Sequence, residues 1–217
     1  MRLVLASTSP RRNELLALLQ VPFEVVDPTS PEQLSRDHPP ETQAQLFAER
    51  KARSCADRFP DSLVLGSDTL IAVGLDVMGK PSDLTEAGAM LRRLRGREHV
   101  IYTSVALFRK ADGIQDVAVE TVRVWMKNFS DAEVEEYLRT GESMGKAGAY
   151  SIQGRGGRLI DRIAGDYTAA VGLPLRLVAD LLRKRGVSLP IDVEMLYRTK
   201  PYPNWDLFAP RIEGERL

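Results

Sequence analysis

Leu3-Val4-Leu5-Ala6-Ser7-Thr8-Ser9-Pro10-Arg11-Arg12 is the stretch from which the rest of the chain is best read. Its apolar start reads as a strand over residues 2–6. Small hydroxyl residues follow. Pro10 then stands where a first helical residue would be, with Ser9 as its N-cap. Arg11 and Arg12 fall in the first helical turn, where the helix dipole is already positive. That placement costs roughly a few tenths of a kcal/mol unless an anion binds there. Two readings stand: an oxyanion site, most simply for phosphate, or two solvated arginines on an ordinary surface helix.

Outward from this stretch, helical and strand patterns intermix. The helix over residues 10–20 gathers Leu15, Leu16, Leu18 and Leu19 on one broad face. Phe23 to Val26 is a short strand, and the Pro-rich, acidic residues 27–41 read as loop. Residues 42–58 form an amphipathic helix with Ala44, Phe47, Ala48, Ala52 and Cys55 inward. Leu63 to Val73 reads as a buried strand interrupted at Gly66-Ser67-Asp68-Thr69. A helix over 83–95 carries Leu84, Ala87, Leu91 and Leu94 on its apolar row. Val100 to Phe108 and Val117 to Met126 pair through a turn at Asp112-Gly113. Ser130-Asp131-Ala132-Glu133 is a capping box. A glycine-rich segment spans Gly141 to Gly157. Pro174 begins a last helix that turns Leu177, Val178, Leu181 and Leu182 inward and stops at Gly186. Strands and helices do not alternate strictly, so the expectation is an α/β domain built on a mixed, twisted β-sheet flanked by helices. This domain covers residues 1–186. Residues 187–217, rich in proline and aromatics, form an extension packed on the domain or on a partner subunit.

Charge and composition remove several function classes. The chain has 217 residues, with 30 basic and 30 acidic side chains and a formal net charge of zero. Bulk attraction to nucleic acid or to an anionic membrane has no support, so phosphate recognition must come from local placement. A single cysteine, Cys55, rules out an internal disulfide and suits a reducing cytoplasm. One cysteine and two histidines are too few for a structural zinc site, while a hard cation held by carboxylates remains open. No apolar run reaches the length of a membrane span, and the N-terminal strand lacks the features of a signal peptide.

Several residues stand out for their surroundings. Lys51 lies on the apolar face of its helix, four residues after Phe47. A lysine there either snorkels to water or has its charge paired, and the Arg11–Arg12 pair favours a phosphate role. Asp68 is flanked by apolar residues on both sides, which is unusual for a carboxylate. It reads as a metal ligand or a general base for water, against the alternative of a simple turn. Lys80, in Gly79-Lys80-Pro81, sits in a turn that reaches the same place across a hairpin, although Gly-Lys-Pro is equally a plain surface turn. The spacing of a P-loop is absent. Gly145 to Gly154 is dense in small residues, which admits a ligand close to the backbone. Gln153 within it offers both donors and acceptors, as suits reading a base edge. On residue type alone this segment is a glycine-rich loop at a sheet edge, Glu32 is a solvated loop charge, and His99 is structural.

Taken in order, these pieces resemble the Maf family of nucleoside triphosphate pyrophosphatases. The resemblance rests on residues 5–12, Glu49-Arg50-Lys51-Ala52, Gly66-Ser67-Asp68-Thr69, Gly79-Lys80-Pro81, residues 146–154, Gly165-Asp166-Tyr167 and Val171-Gly172-Leu173-Pro174-Leu175. It covers residues 2 to about 186. It implies a fold similar to the ITP pyrophosphatases and hydrolysis of a nucleoside triphosphate between its α and β phosphates. It also implies a divalent cation, Mg²⁺ or Mn²⁺, a cytoplasmic location and a homodimer. Asp68 would activate water and, with Glu32, hold the metal. Ser7, Arg11, Arg12, Lys51 and Lys80 would bind phosphates. Arg11, Thr69 and Gln153 follow the pattern of members specific for dTTP and UTP, where members preferring 7-methyl-GTP carry Trp, Gln and Glu. A 7-methyl-GTP pyrophosphatase and a nucleotide- or nucleic-acid-binding regulator of cell division are the competing readings. The long tail beyond Gly186 departs from the family pattern.

Overall fold

The computed structural model describes residues 2–30 and 37–208. In chain order its elements are β1 (Leu3–Ala6), α1 (Pro10–Ala17), β2 (Phe23–Val26), α2 (Pro40–Ala56), β3 (Leu63–Val73), β4 (Asp76–Met78) and α3 (Leu84–Leu94). There follow β5 (Glu98–Arg109), β6 (Ile114–Met126), α4 (Asp131–Leu138), β7 (Ile160–Ala164), α5 (Tyr167–Val171), α6 (Leu175–Lys184) and α7 (Val193–Thr199). The strands form one mixed sheet in the order β2-β1-β3-β5-β6-β7, with β4 paired to β3. The β2-β1-β3 edge is parallel and the rest is antiparallel. The expected mixed sheet flanked by helices is what the chain forms.

Strand alternation sorts the core onto two faces. Leu3, Leu5, Leu63 and Leu65 face a large core shared with α1, α3 and α6. Val4, Ala6 and Val64 face the opposite way and pack under Ala48, Ala52 and Cys55 of α2. A strand buried on both faces reads as a continuous apolar run, as Leu63 to Leu65 does.

The expected interruption of β3 at Gly66-Ser67-Asp68-Thr69 does not occur. These four residues pair in register with Ala106, Val105, Ser104 and Thr103 of β5, so ladder hydrogen bonds hold them extended. Gly66 is there for closeness rather than for a turn. A Cβ on it would stand 2.3 Å from the Ala48 carbonyl oxygen and 2.7 Å from the Ala52 nitrogen, so only glycine lets α2 lie against β3.

Other differences are smaller. Ser9 stands at the N-cap of α1, yet its side chain makes no capping bond; its backbone N–H donates to Ser7 Oγ at 3.1 Å. Helix α2 starts at Pro40, two residues early, because proline suits a first helical turn. Leu84 is exposed at the mouth of α3, whose buried row begins at Ala87. In α6 the buried row is Leu175, Val178, Ala179 and Leu182, with Leu177 and Leu181 only half-buried. Gly186 does not end the helical part of the chain: α7 follows.

Candidate active site

Strand β1 lies between β2 and β3, so the chain leaves it toward one side and returns on the other. In such sheets ligands bind beyond the carboxyl ends of the strands at this switch point. Strand β1 ends at Ala6, opposite Gly66, while β3 runs on to Val73. Residues 67–73 therefore stand past the end of β1, and Asp68, Thr69, Leu70 and Ile71 among them border an open cavity of about 990 Å³. Ser7, Arg11, Arg12, Lys51, Asp68, Thr69, Lys80 and Gln153 all line it. Glu32, expected as a second metal ligand, lies outside the described residues.

The two-residue period of β3 divides the chemistry. Asp68 points to the α2 side, where Lys51 Nζ donates to its Oδ1 at 2.5 Å. Both residues are 5% exposed. Lys51 is thus paired across the contact that Gly66 makes possible, rather than snorkelling to water. Thr69 points the other way. Arg12 Nη2 donates to Thr69 Oγ1 at 3.2 Å, and Arg12 Nε donates to the Gly172 carbonyl at 3.0 Å. Thr69 Oγ1 and Thr103 Oγ1 are 3.1 Å apart, and the Thr103 hydroxyl donates to the Ala169 carbonyl at 2.8 Å. This relay ties α1, β3, β5 and the end of α5 together. It pins the Arg12 guanidinium at the cavity wall.

Arg11 is half-buried nearer the glycine-rich wall. Burial lowers its guanidinium from the ordinary value, while Tyr202, Glu14 and Tyr137 pull the other way. A desolvated cation beside a cavity is poised for an anion. Lys80 follows β4, whose pairing with Ile71–Val73 of β3 supplies the expected hairpin. The Gly79 carbonyl accepts from Gly148 N–H at 3.1 Å, so the lysine turn and the glycine-rich segment are sewn together. Within that segment Gly154 lies against the Glu142 carboxylate: a Cβ there would be 2.4 Å from Glu142 Oε2, so the Glu142 side chain would have to shift. Gln153 Nε2 donates to the Tyr202 hydroxyl at 3.2 Å.

Sequence reading left several lining groups without a role. Lys146 lies in the cavity wall, its ammonium pKa lowered by burial and by Arg11. Glu142 lies nearby, and its Oε2 accepts from Arg155 N–H at 2.8 Å. Lys146 was visible as the one charge in a run of small residues. Tyr202 and Glu14 carried no local signal, because Tyr202 meets Glu14 and Gln153 only through the fold. His99 is buried, as expected of a structural residue; its Nε2 lies 2.7 Å from the Tyr150 hydroxyl. Among the described residues no group of three or more His, Cys, Asp and Glu could hold a metal ion. No helix among them is long and apolar enough to cross a membrane.

A mixed sheet with a cation-lined cleft and a buried carboxylate at its switch point defines an α/β protein built to bind an anionic ligand. The chain matches the Maf-like protein family over residues 2–185 and belongs to that family. The dTTP/UTP pyrophosphatase of Pelotomaculum thermopropionicum is 43% identical over 191 residues, covering 86% of this chain and 98% of its own. That of Symbiobacterium thermophilum is 44% identical over 188 residues, covering 87% and 96%. Among solved structures, the Staphylococcus aureus Ham1 protein aligns at 15% identity with a TM-score of 0.44, covering 59% of this chain and 73% of that one.

Proposed function

We propose that this protein hydrolyses dTTP and UTP between the α and β phosphates, releasing the nucleoside monophosphate and pyrophosphate. The observation that carries this reading is the buried Lys51–Asp68 pair opening onto a cavity walled by Arg11, Arg12, Lys80 and Lys146. A triphosphate brings about four negative charges, and fixed cations stabilise that charge as it redistributes during phosphoryl transfer. The names of the relatives point to the same two substrates.

In this reading Asp68 takes a proton from water as the water oxygen bonds to the α-phosphorus. The bond from that phosphorus to the bridging oxygen breaks, and pyrophosphate leaves. Lys51 holds the carboxylate in place and presents its charge to the phosphates. Arg12, tied to Thr69 and Gly172, offers a fixed guanidinium edge. Ser7 and Lys80 complete the phosphate wall, and Gln153 faces the base.

The donor set also suits a divalent cation. One Asp68 oxygen is engaged by Lys51, and none of the described residues bonds the other. A small hard cation needs only one or two carboxylates, the rest of its shell coming from phosphate oxygens and water. Asp68, with Glu32, would hold Mg²⁺ or Mn²⁺. Such an ion neutralises phosphate charge and lowers the pKa of bound water. The same reading carries a homodimer in the cytoplasm, as the family resemblance implies.

A pyrophosphate-release panel over dTTP, UTP and 7-methyl-GTP, with each metal, tests the proposal. The expected result is turnover of dTTP and UTP and a drop of at least about 100-fold in Asp68→Asn. Asparagine is chosen because it preserves the shape beside Lys51. Preference for 7-methyl-GTP would overturn the substrate assignment. Full activity in Asp68→Asn would remove Asp68 from the chemistry.

A further inference from the structure

The segment beyond α7 returns to the glycine-rich segment that walls the cavity. Trp205 is buried, stacked on Tyr167 at 5.8 Å and edge-on to Tyr197 at 4.8 Å. The Tyr167 hydroxyl donates to the Pro203 carbonyl. These anchors set two polar side chains against the glycine-rich wall. Asn204 Nδ2 donates to the Ile152 carbonyl at 2.9 Å and to the Gly154 carbonyl at 3.0 Å, one on each side of Gln153. Tyr202 is 7% exposed and meets Gln153 itself. The Maf-like match ends at residue 185, before either residue.

The order of donors is fixed by Glu14. A carboxylate only accepts, so the Tyr202 hydroxyl proton goes to Glu14 Oε2, at 2.5 Å. The Tyr202 oxygen is left to accept, and it takes an N–H of Gln153. The amide nitrogen of Gln153 is therefore held on the Tyr202 side and its oxygen on the other. Gln153 Oε1 is buried and has no hydrogen-bond partner among the described residues. A rotated amide would lose the bond to Tyr202, because two acceptors would then face each other.

We propose that Tyr202, held by Glu14, and Asn204 are positioning residues that fix the Gln153 amide, so that the C-terminal extension forms part of the base-recognition wall. This rests on the dTTP/UTP reading above. Uracil and thymine present an N3–H beside two carbonyl oxygens, whereas cytosine presents a bare N3 beside an amino group. An amide with fixed donor and acceptor ends tells these edges apart. A freely rotating amide adapts to both and discriminates less.

The test compares wild type, Tyr202→Phe and Asn204→Gly. Glycine is used because Asn204 has φ +62°, which glycine adopts without strain. Pyrophosphate release is measured with dTTP and dCTP, and binding is measured by calorimetry with their α,β-methylene analogues. In both variants dTTP-over-dCTP preference should fall about tenfold, the worth of one misdirected hydrogen bond. In Tyr202→Phe this should come as a raised KM for dTTP, with kcat within about twofold of wild type. Unchanged preference in Tyr202→Phe overturns the positioning role, as does an equal loss of kcat on both substrates. The calorimetric arm needs no turnover. Wild type that binds dTTP over dCTP yet releases no pyrophosphate would sink the hydrolysis reading and leave this one to be decided by the variants' binding.

Discussion

Asp68 and Lys51 show how one residue's surroundings set its chemistry. Neither is stable alone where it lies, since a buried charge needs a partner. Together they form a contact pair at the edge of water, a geometry that holds the carboxylate still without closing it off. His99 shows the opposite solution. Burial lowers its pKa to about 4 from an ordinary 6.5, so the folded protein keeps it neutral where the unfolded chain protonates. Above about pH 6.5 both states are neutral and stability is intact. As pH falls from about 6.5 toward about 4, only the unfolded chain gains the proton, and stability declines by about 3 kcal/mol. Urea unfolding of wild type and His99→Gln at several pH values across that window checks this. The difference between them should shrink as pH falls; a constant difference would contradict the buried neutral imidazole.

Among the elements, the pairing of α2 with β3 does most to build the cleft. Lys51 comes from the helix and Asp68 from the strand, and their meeting depends on Gly66. Gly66→Ala would place a methyl carbon against backbone atoms of Ala48 and Ala52, which have nowhere to go but outward. Overpacking of this kind costs about 2 kcal/mol, and here it also draws Lys51 away from Asp68. The expected outcome is a lower unfolding free energy together with a loss of turnover larger than the stability change explains. Wild-type turnover in a folded Gly66→Ala protein would show that the helix–strand spacing is not critical. The expected break at Gly66-Ser67-Asp68-Thr69 belongs to this scale too. Glycine, serine and aspartate carry the local signature of a turn, and only the ladder to β5 overrides it.

At the scale of the molecule, zero formal charge coexists with a cavity walled by Arg11, Arg12, Lys51, Lys80 and Lys146. Local positive potential draws a small polyanion into the cleft, while zero formal charge gives the molecule no net attraction for a duplex. Triphosphate binding should weaken as salt rises, and duplex DNA should show no binding tighter than about 10 μM at physiological salt. A filter-binding titration reads the second expectation directly. Tight, salt-sensitive DNA binding without hydrolysis would support the regulator reading instead.

The sequence by itself determined the strand-to-helix start, most strands and every helix but α5 and α7, and which residues carry unusual charge for their neighbours. Apolar periodicity and turn residues are local signals, and they were enough to mark Arg11, Arg12, Lys51, Asp68 and Lys80 as one kind of chemistry. Only the tertiary structure decided that β3 runs unbroken, that Lys51 pairs with Asp68, and that Tyr202 of the extension meets Glu14 and Gln153. Each of these joins residues far apart in the chain through a shared ladder or a buried contact. Their free energy comes from desolvation and pairing in the folded state, and no stretch of the chain carries that on its own.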